Sequence, residues 1–349
     1  MWPFSSQPKA FAIDFSDSTL RVLEVRNSSR PLKVNSFLKI GIPEGTIEDG
    51  IINNQQVVAD ILAEKLATAK PRPPRTHRVA AELPESQIFL HHFQLPKELT
   101  GEDLETALVE QVNQTMPIEL ENMAWDFQLL RSSDEGHNIL FAAAPAEIVE
   151  SYEHTLALAG LELVSLEPES LALMRAVIDQ KTAAPDELVL LIDIGGRSTS
   201  LVFVLNGEIH LSVSCAAGGN LLTERIATGL KIKAEEAEEL KISEGLKEKK
   251  LLPIVTEVFQ PVVDEVAKAS AYLQGLIGKK PAMVLLAGGT SQLVGLDQQL
   301  QAALGLPVKL AQPPLEMNER TGQLELCTVS GLAMRAVTLH RGINFVEAE

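Results

Sequence analysis

Three places in the chain join residues suited to holding phosphate with a turn that would present them. Leu188–Ile192, five apolar residues, run into Asp193, and after Ile194 come Gly195-Gly196, Arg197, Ser198 and Thr199. A carboxylate at the end of a buried strand is costly unless it meets a cation or hydrogen-bond donors. A tight Gly-Gly turn beside it lets backbone N–H groups approach an anion. Carboxylate, glycine turn and hydroxyl side chains together read as a phosphate loop with a magnesium position. A related pattern starts at Ala10–Phe15, an apolar run carrying Asp14, followed by Ser16, Asp17, Ser18 and Thr19. The third follows Met283–Ala287 at Gly288-Gly289-Thr290. Strand-ending glycines are common, so each turn is weak alone.

The elements around these turns repeat. Leu20–Val25 and Leu32–Ile40 alternate as strands after Asp14, just as Ser200–Asn206 reads as a strand after Asp193. The two aspartates stand 179 positions apart, which points to an internal duplication of a three-strand unit. In the first half, a helix is expected from about Gln55 to Ala69, with Val58, Ile61, Leu62 and Leu66 on one face. Lys70-Pro71-Arg72-Pro73-Pro74 stops it, and His77–Leu83 is a further strand. Residues 86–166 read as an inserted α+β unit of order strand–helix–strand–strand–helix–strand. Its first helix carries a capping-box pattern at Thr100–Asp103. Lys181–Glu187 is a polar linker. The expected division is therefore 1–85 with 167–185 as one domain, 86–166 as the insertion, and 186–349 as a second domain. Residues 223–281 would form the helical part of that second domain.

Composition narrows the partners. The chain has 349 residues, long enough for two cores. Thirty basic against forty-seven acidic residues give a net charge of −17, a field that repels nucleic acid and anionic lipid except at a local basic patch. No apolar stretch is long enough for a membrane span, and MWPFSSQPKAF lacks the pattern of a signal peptide. Two cysteines without CxxC spacing fit reduced, buried thiols, and the expected location is the cytoplasm. His91-His92 are adjacent on a strand and point to opposite faces, so they do not chelate together. No GxxxxGK[ST] loop and no Ser/His/Asp hydrolase pattern is present.

Three such turns in this order, across two similar halves, resemble the actin-like ATPase superfamily. The resemblance implies an α/β, actin-like (ribonuclease H-like) duplicated two-domain fold with nucleotide in the cleft between the domains. Gly218-Gly219-Asn220-Leu221-Leu222-Thr223 followed by Ala237-Glu238-Glu239-Leu240-Lys241 is similar to the run that marks the PilM family of type IV pilus assembly proteins. Glu48-Asp49-Gly50-Ile51-Ile52 and Glu169–Ala176 resemble two further PilM segments. The insertion in the first half is the arrangement of PilM and of its cell-division relative FtsA.

The resemblance implies ATP and Mg²⁺ as ligands. Asp14 and Asp193 would face Mg²⁺, mostly through water. Gly195, Gly196, Ser198 and Thr199 would cradle phosphates, with Ser16, Ser18 and Thr19 as the opposing turn. Glu238 and Lys241 would meet the ribose or base, although an acidic solvated helix explains the same residues. Gly218, Gly219, Gly288, Gly289 and Thr290 would border the adenosine. Glu169 matches the water-orienting acid of hydrolysing relatives, and its alternative role is a helix-start acid favoured by the dipole. Ser16 stands where the family carries glycine, and Asp17 adds negative charge beside the phosphates, to be compensated by Mg²⁺ or Arg197. The implied function is a scaffold of the pilus inner-membrane platform, held at the membrane through its partner rather than chiefly an enzyme. It would bind the cytoplasmic N-terminal tail of a PilN-like protein and through it couple to PilO and the assembly ATPase, with self-association left open. An FtsA-like or secretion-platform protein and an actin-fold sugar kinase are the competing readings.

Overall fold

The buried run Phe11–Phe15 (β1) forms an antiparallel meander with Thr19–Val25 (β2) and Val34–Gly41 (β3). It belongs to a computed structural model that describes residues 9–134, 136–179, 184–316, 323–339 and 342–346. Trp2, Phe4, the first three residues of the Lys181–Glu187 linker and the last three residues of the chain lie outside the described residues. A short hairpin, Ile47–Glu48 (β4) and Ile51–Ile52 (β5), leads to helix Gln55–Lys65 (α1), which Asn54 caps by accepting from the Val57 N–H at 3.2 Å. Lys70–Pro71 (β6) pairs with the edge of β3, and Arg78–Leu83 (β7) runs parallel to β1.

The chain then leaves this sheet. Phe89–Leu95 (β8), helix Glu102–Thr115 (α2), Met123–Ser133 (β9) and Gly136–Pro145 (β10) form a separate three-stranded antiparallel sheet in the order β8-β10-β9. Alternate residues of β10 serve two cores. Ile139, Phe141 and Ala143 pack with Leu104, Leu108 and Val112 of α2, while Leu140, Ala142 and Ala144 pack on the main core. Helix Ala146–Leu158 (α3) lies against α1, and Glu162–Pro168 (β11) runs parallel to β7. Glu169–Val177 (α4) follows. The first sheet thus has six strands in the order β11-β7-β1-β2-β3-β6.

Leu188–Ile194 (β12), Thr199–Leu205 (β13) and Glu208–Cys215 (β14) make a second antiparallel meander. Helices Gly219–Leu230 (α5), Ala234–Ser243 (α6) and Leu251–Ile277 (α7) follow, the last running unbroken through Pro261. Pro281–Ala287 (β15), helix Leu296–Leu304 (α8) and Val308–Leu310 (β16) complete a sheet of order β14-β13-β12-β15-β16. That order and its strand directions repeat β3-β2-β1-β7-β11. The repeat extends to single bonds. Ser16 N–H donates to Thr19 C=O at 3.0 Å, and 179 residues later Gly195 N–H donates to Ser198 C=O at 3.0 Å. Among the described residues no helix is long and apolar enough to cross a membrane.

Three expectations are corrected. The inserted sheet ends at Pro145 rather than at residue 166, because α3 packs on α1 and β11 hydrogen-bonds into the first sheet. The second domain does not extend to the last described residue. Helix Cys327–Thr338 (α9) packs on α4, β1 and β2, and Ile343 and Phe345 join the first core. The Thr100–Asp103 capping box is not formed, since Gly101 takes the cap position and has no side chain to offer.

Two contacts hold these parts in place. Gly331 of α9 lies so close to α4 that a Cβ there would stand 1.8 Å from the Ala172 carbonyl oxygen, so only glycine permits this helix packing. Fully buried Glu167, in β11, accepts from Arg175 Nη1 and Nη2 at 2.7 Å each and from Arg335 Nη1 at 2.6 Å. Burial pushes its carboxyl up, but the two guanidiniums hold it below the usual carboxylate range.

The inserted sheet meets the second sheet at His92, which contacts the Ile209 carbonyl and stacks on His210 at 5.2 Å between ring centroids. Burial lowers the His92 pKa to about 4. A histidine held neutral by the fold contributes stability that is complete above its unfolded pKa and is lost as pH falls toward the folded value. We expect this residue to cost at most about 2 kcal/mol between pH 7 and pH 5. Urea titrations of His92→Gln and the parent at both pH values should show a shallower acid slope for the variant.

Candidate functional site

β1 and β12 deliver Asp14 and Asp193 to one cleft of about 800 Å³ between the two sheets, a size typical of small-ligand sites. Ser16, Ser18 and Thr19 line it from the first turn, and Gly195, Gly196, Arg197 and Ser198 from the second. Gly219 and the Glu238–Lys241 pair form one side, with Gly288, Gly289 and Thr290 closing another and Glu169 at the base. Two expected residues stand behind the wall instead. Thr199 is fully buried and its hydroxyl donates to the Ala217 carbonyl at 2.6 Å. Gly218 packs against the Gly196–Arg197 backbone, where a Cβ would meet the Gly196 carbonyl oxygen at 2.6 Å.

The third turn is tight for a physical reason. Gly288 has φ +90°, and a Cβ there would lie 2.3 Å from Asp193 Oδ1. Any side chain would push on the carboxylate that β12 places. Lys241 Nζ is tied to Glu238 at 2.6 Å, Thr223 Oγ1 at 2.8 Å and the Gly219 carbonyl at 3.1 Å, so it pins α6 to the start of α5 while facing the cleft.

The floor carries an excess of negative groups. Burial, with Asp14 nearby, raises the Asp193 pKa to about 7, and Thr328 Oγ1 donates to it at 3.4 Å. Burial also raises Asp14, although Arg21 Nη1 lies 3.2 Å from its Oδ2. Glu169 is pushed well above the usual range by burial and then by Asp193, Asp14 and Glu85. Its carboxylate accepts from Ser200 at 3.4 Å. Glu82 behaves alike through burial and the charges of Asp14 and Glu169. Its Oε1 accepts from the Phe15 N–H at 3.0 Å, and its Oε2 has no hydrogen-bond partner among the described residues. Carboxyls that titrate high in a shared polar cleft suit a cation held partly through water. Among the described residues no group of three or more His, Cys, Asp or Glu is arranged to hold a metal ion directly. Mg²⁺ fits this donor set, with Asp193 the freer partner because Arg21 already meets Asp14.

The phosphate side fits less evenly. The Gly195–Ser198 turn faces the cleft with Gly196 exposed, while the Gly195 N–H is taken by the Ser198 carbonyl. In the opposing turn Asp17 accepts from the Asp49 N–H at 2.9 Å and is paired across the cleft with Arg197. Arg197 also reaches Glu48 at 3.6 Å. A polyphosphate must part this bridge or share the cleft with it. Ser16 turns inward, its Oγ donating to the Thr19 carbonyl at 2.9 Å.

Sequence reasoning missed Arg21, Lys39 and Glu325. Arg21 Nη2 and Lys39 Nζ hold Glu325 at 3.2 and 2.7 Å, closing the rim of the cleft. Arg21 had a legible signal, since it stands opposite Asp14 just as Ser200 stands opposite Asp193. Glu325 had none, because it arrives from a segment far along the chain.

Residues 12–337 match the family described as Type IV pilus assembly protein PilM. This chain belongs to that family. Among curated relatives, the ethanolamine utilization protein EutJ of Salmonella typhimurium is 30% identical over 125 residues, 35% of this chain and 42% of that one. The cell division protein FtsA of Neisseria meningitidis is 27% identical over 185 residues, 44% of each chain. The chain thus spans less than half the length of these two relatives. Among solved structures, a chain of the PilM-PilN type IV pilus biogenesis complex superposes with a TM-score of 0.79 at 24% identity. That superposition covers 95% of this chain and 99% of that one. MreB 5 of Spiroplasma citri, bound to AMPPNP, gives a TM-score of 0.56 at 14% identity over 94% of this chain and 96% of that one. The fold is therefore actin-like, and the protein is an actin-like member of a type IV pilus assembly family.

Proposed function

We propose that this chain is a scaffold of the type IV pilus inner-membrane platform that binds the cytoplasmic N-terminal tail of a PilN-like protein, with Mg-ATP in its cleft biasing that binding. The family match over residues 12–337 carries this reading, and the likeness to the PilM-PilN complex supports it. The two sheets are the actin-like domains and residues 86–145 the insertion. Asp14 and Asp193 would hold Mg²⁺ through water. The Gly195–Ser198 turn would take phosphates, Gly219, Gly288 and Gly289 would lie along the adenosine, and Glu238 and Lys241 would meet its ribose or base. Glu169 is the residue assigned to a hydrolytic water. When bound, the metal would neutralise charge between phosphates and carboxylates. The protein would then sit at the membrane through its partner, with PilO and the assembly ATPase coupled indirectly.

An extended tail laid between the insertion and the main body would take main-chain hydrogen bonds and side-chain pockets. Nucleotide biases such binding only through different affinities for two arrangements of the lobes. The test is a fluorescence-anisotropy titration of the labelled tail with the full chain. Saturation at micromolar concentration or below supports the reading. Absence of saturation, with or without Mg-ATP, contradicts it.

A further inference from the structure

In a chain where acids outnumber bases forty-seven to thirty, one end of the first sheet reverses the balance. Ala12 pairs with Leu23, and continuing that register places Lys9 opposite Arg26. The Arg26 N–H donates to the Lys33 carbonyl at 3.0 Å. Ser36 pairs with Pro71, and Phe37 with Lys70, which lays the segment from Lys70 to Arg75 along the same corner. The result is a basic row across the ends of β1, β2, β3 and β6, at the end of the sheet remote from the cleft.

The charges in this row are not neutralised by ion pairs, and the Arg26 Nε donates to the uncharged Asn35 Oδ1 at 3.4 Å. Lys9, Arg26, Lys33, Lys70 and Arg75 are exposed, and Arg72 is half-buried. Among the described residues none of the six forms a salt bridge of the kind that ties down Arg21, Arg78 or Arg197. The Arg72 Nε is buried without a hydrogen-bond partner among the described residues. Burial and the charges of Arg75 and Arg26 beside it hold its guanidinium below the ordinary value. Two acids border the row. Glu24 is buried and accepts from the Arg75 N–H at 2.9 Å, and Glu316 bonds the Leu32 carbonyl through its backbone.

We propose that this end of the first sheet docks on an anionic phospholipid surface. Two observations favour a lipid plane over a soluble polyanion. The row spans four neighbouring strands, roughly 15 Å at a spacing of about 4.8 Å, a width that matches several headgroups at once. Lys9 is also preceded in sequence by Trp2-Pro3-Phe4, and aromatic residues of this kind favour the lipid–water boundary. The proposal is independent of the reading of the cleft.

The experiment is vesicle co-sedimentation of the full chain with phosphatidylcholine alone and with phosphatidylcholine containing phosphatidylglycerol. Binding is expected only to the anionic vesicles and is released as the Debye length shrinks to about 3 Å near 1 M salt. Each cation near such a surface is worth roughly fivefold in partitioning, so Arg26→Gln/Arg72→Gln/Arg75→Gln should bind roughly a hundredfold more weakly. Lys9→Gln/Lys33→Gln/Lys70→Gln, which keeps the charges of Arg75 and Arg72 beside buried Glu24, should fall by a similar factor and guards against a folding defect in the first variant. Absence of binding, equal binding to both vesicles, or an unchanged second variant overturns the proposal. Retention on polyglutamate without vesicle binding would assign the face to an acidic peptide and overturn it equally.

Discussion

Replacing Asp17 with glycine is expected to tighten Mg-ATP binding about ten- to a hundredfold, the effect of removing a like charge a few ångströms from phosphate at an effective dielectric near 20. The Asp17 carboxylate bridges the two turns through Arg197 and accepts from the Asp49 N–H. Nucleotide must either break that pair or accept a carboxylate beside its phosphates. Glycine removes the repulsion, adds no side chain to the approach, and leaves Arg197 free to meet the phosphate. The reverse change separates this account from simple loosening. Arg197→Ala leaves Asp17 uncompensated and should weaken binding, whereas a merely opened cleft would give both variants the same sign. Titration with a fluorescent ATP analogue and Mg²⁺ reads both directly.

Glu167→Ala is expected to destabilise the fold by about 3–5 kcal/mol, the usual consequence of stranding buried charge by removing one partner. Its carboxylate is wholly buried, and two guanidiniums close on it with exposures of only 28% and 6%. Arg175 comes from α4 and Arg335 from α9. Arg335 also donates to the Ile343 carbonyl at 2.8 Å, so one carboxylate ties β11, both helices and the returning chain together. Removing it leaves two cations facing each other in a low-dielectric pocket. Because the Glu167 pKa is depressed, its contribution is present above the unfolded value and is lost as pH falls through the folded one. The urea midpoint of the alanine variant should therefore approach that of the parent in acid. A cost below about 1 kcal/mol at neutral pH, the range of exposed pairs, would show that the network contributes little.

The duplicated strands and the turns at Asp14 and Asp193 were legible because they are local. An apolar run, an acid and a small-residue turn are all read within a dozen residues, and their recurrence 179 positions on supplies the second half. What lay outside local reading was pairing at long range. The helix–strand unit α3–β11 has the same pattern whether β11 completes the inserted sheet or pairs with β7, and only tertiary contact decides. The same holds for α9, whose apolar face would fit either domain but whose Gly331 permits the close approach to α4. In the cleft, the turn residues were visible and the compensating groups were not. Asp17 read as surplus negative charge to be compensated by Mg²⁺ or Arg197, and the fold places Arg197 against it from 180 residues away. Glu82 and Glu325 stand in no motif of the sequence, and the fold alone brings them to the acidic floor and the rim.

The most direct test of the account is the affinity of the labelled PilN-like tail measured with and without saturating Mg-ATP, with cleft occupancy followed in the same samples by a fluorescent nucleotide. If the cleft biases the two lobes toward one arrangement, the two affinities should differ by at least about fivefold, the lower end of typical coupling between sites. Indistinguishable tail affinities in samples whose cleft is demonstrably filled would contradict it.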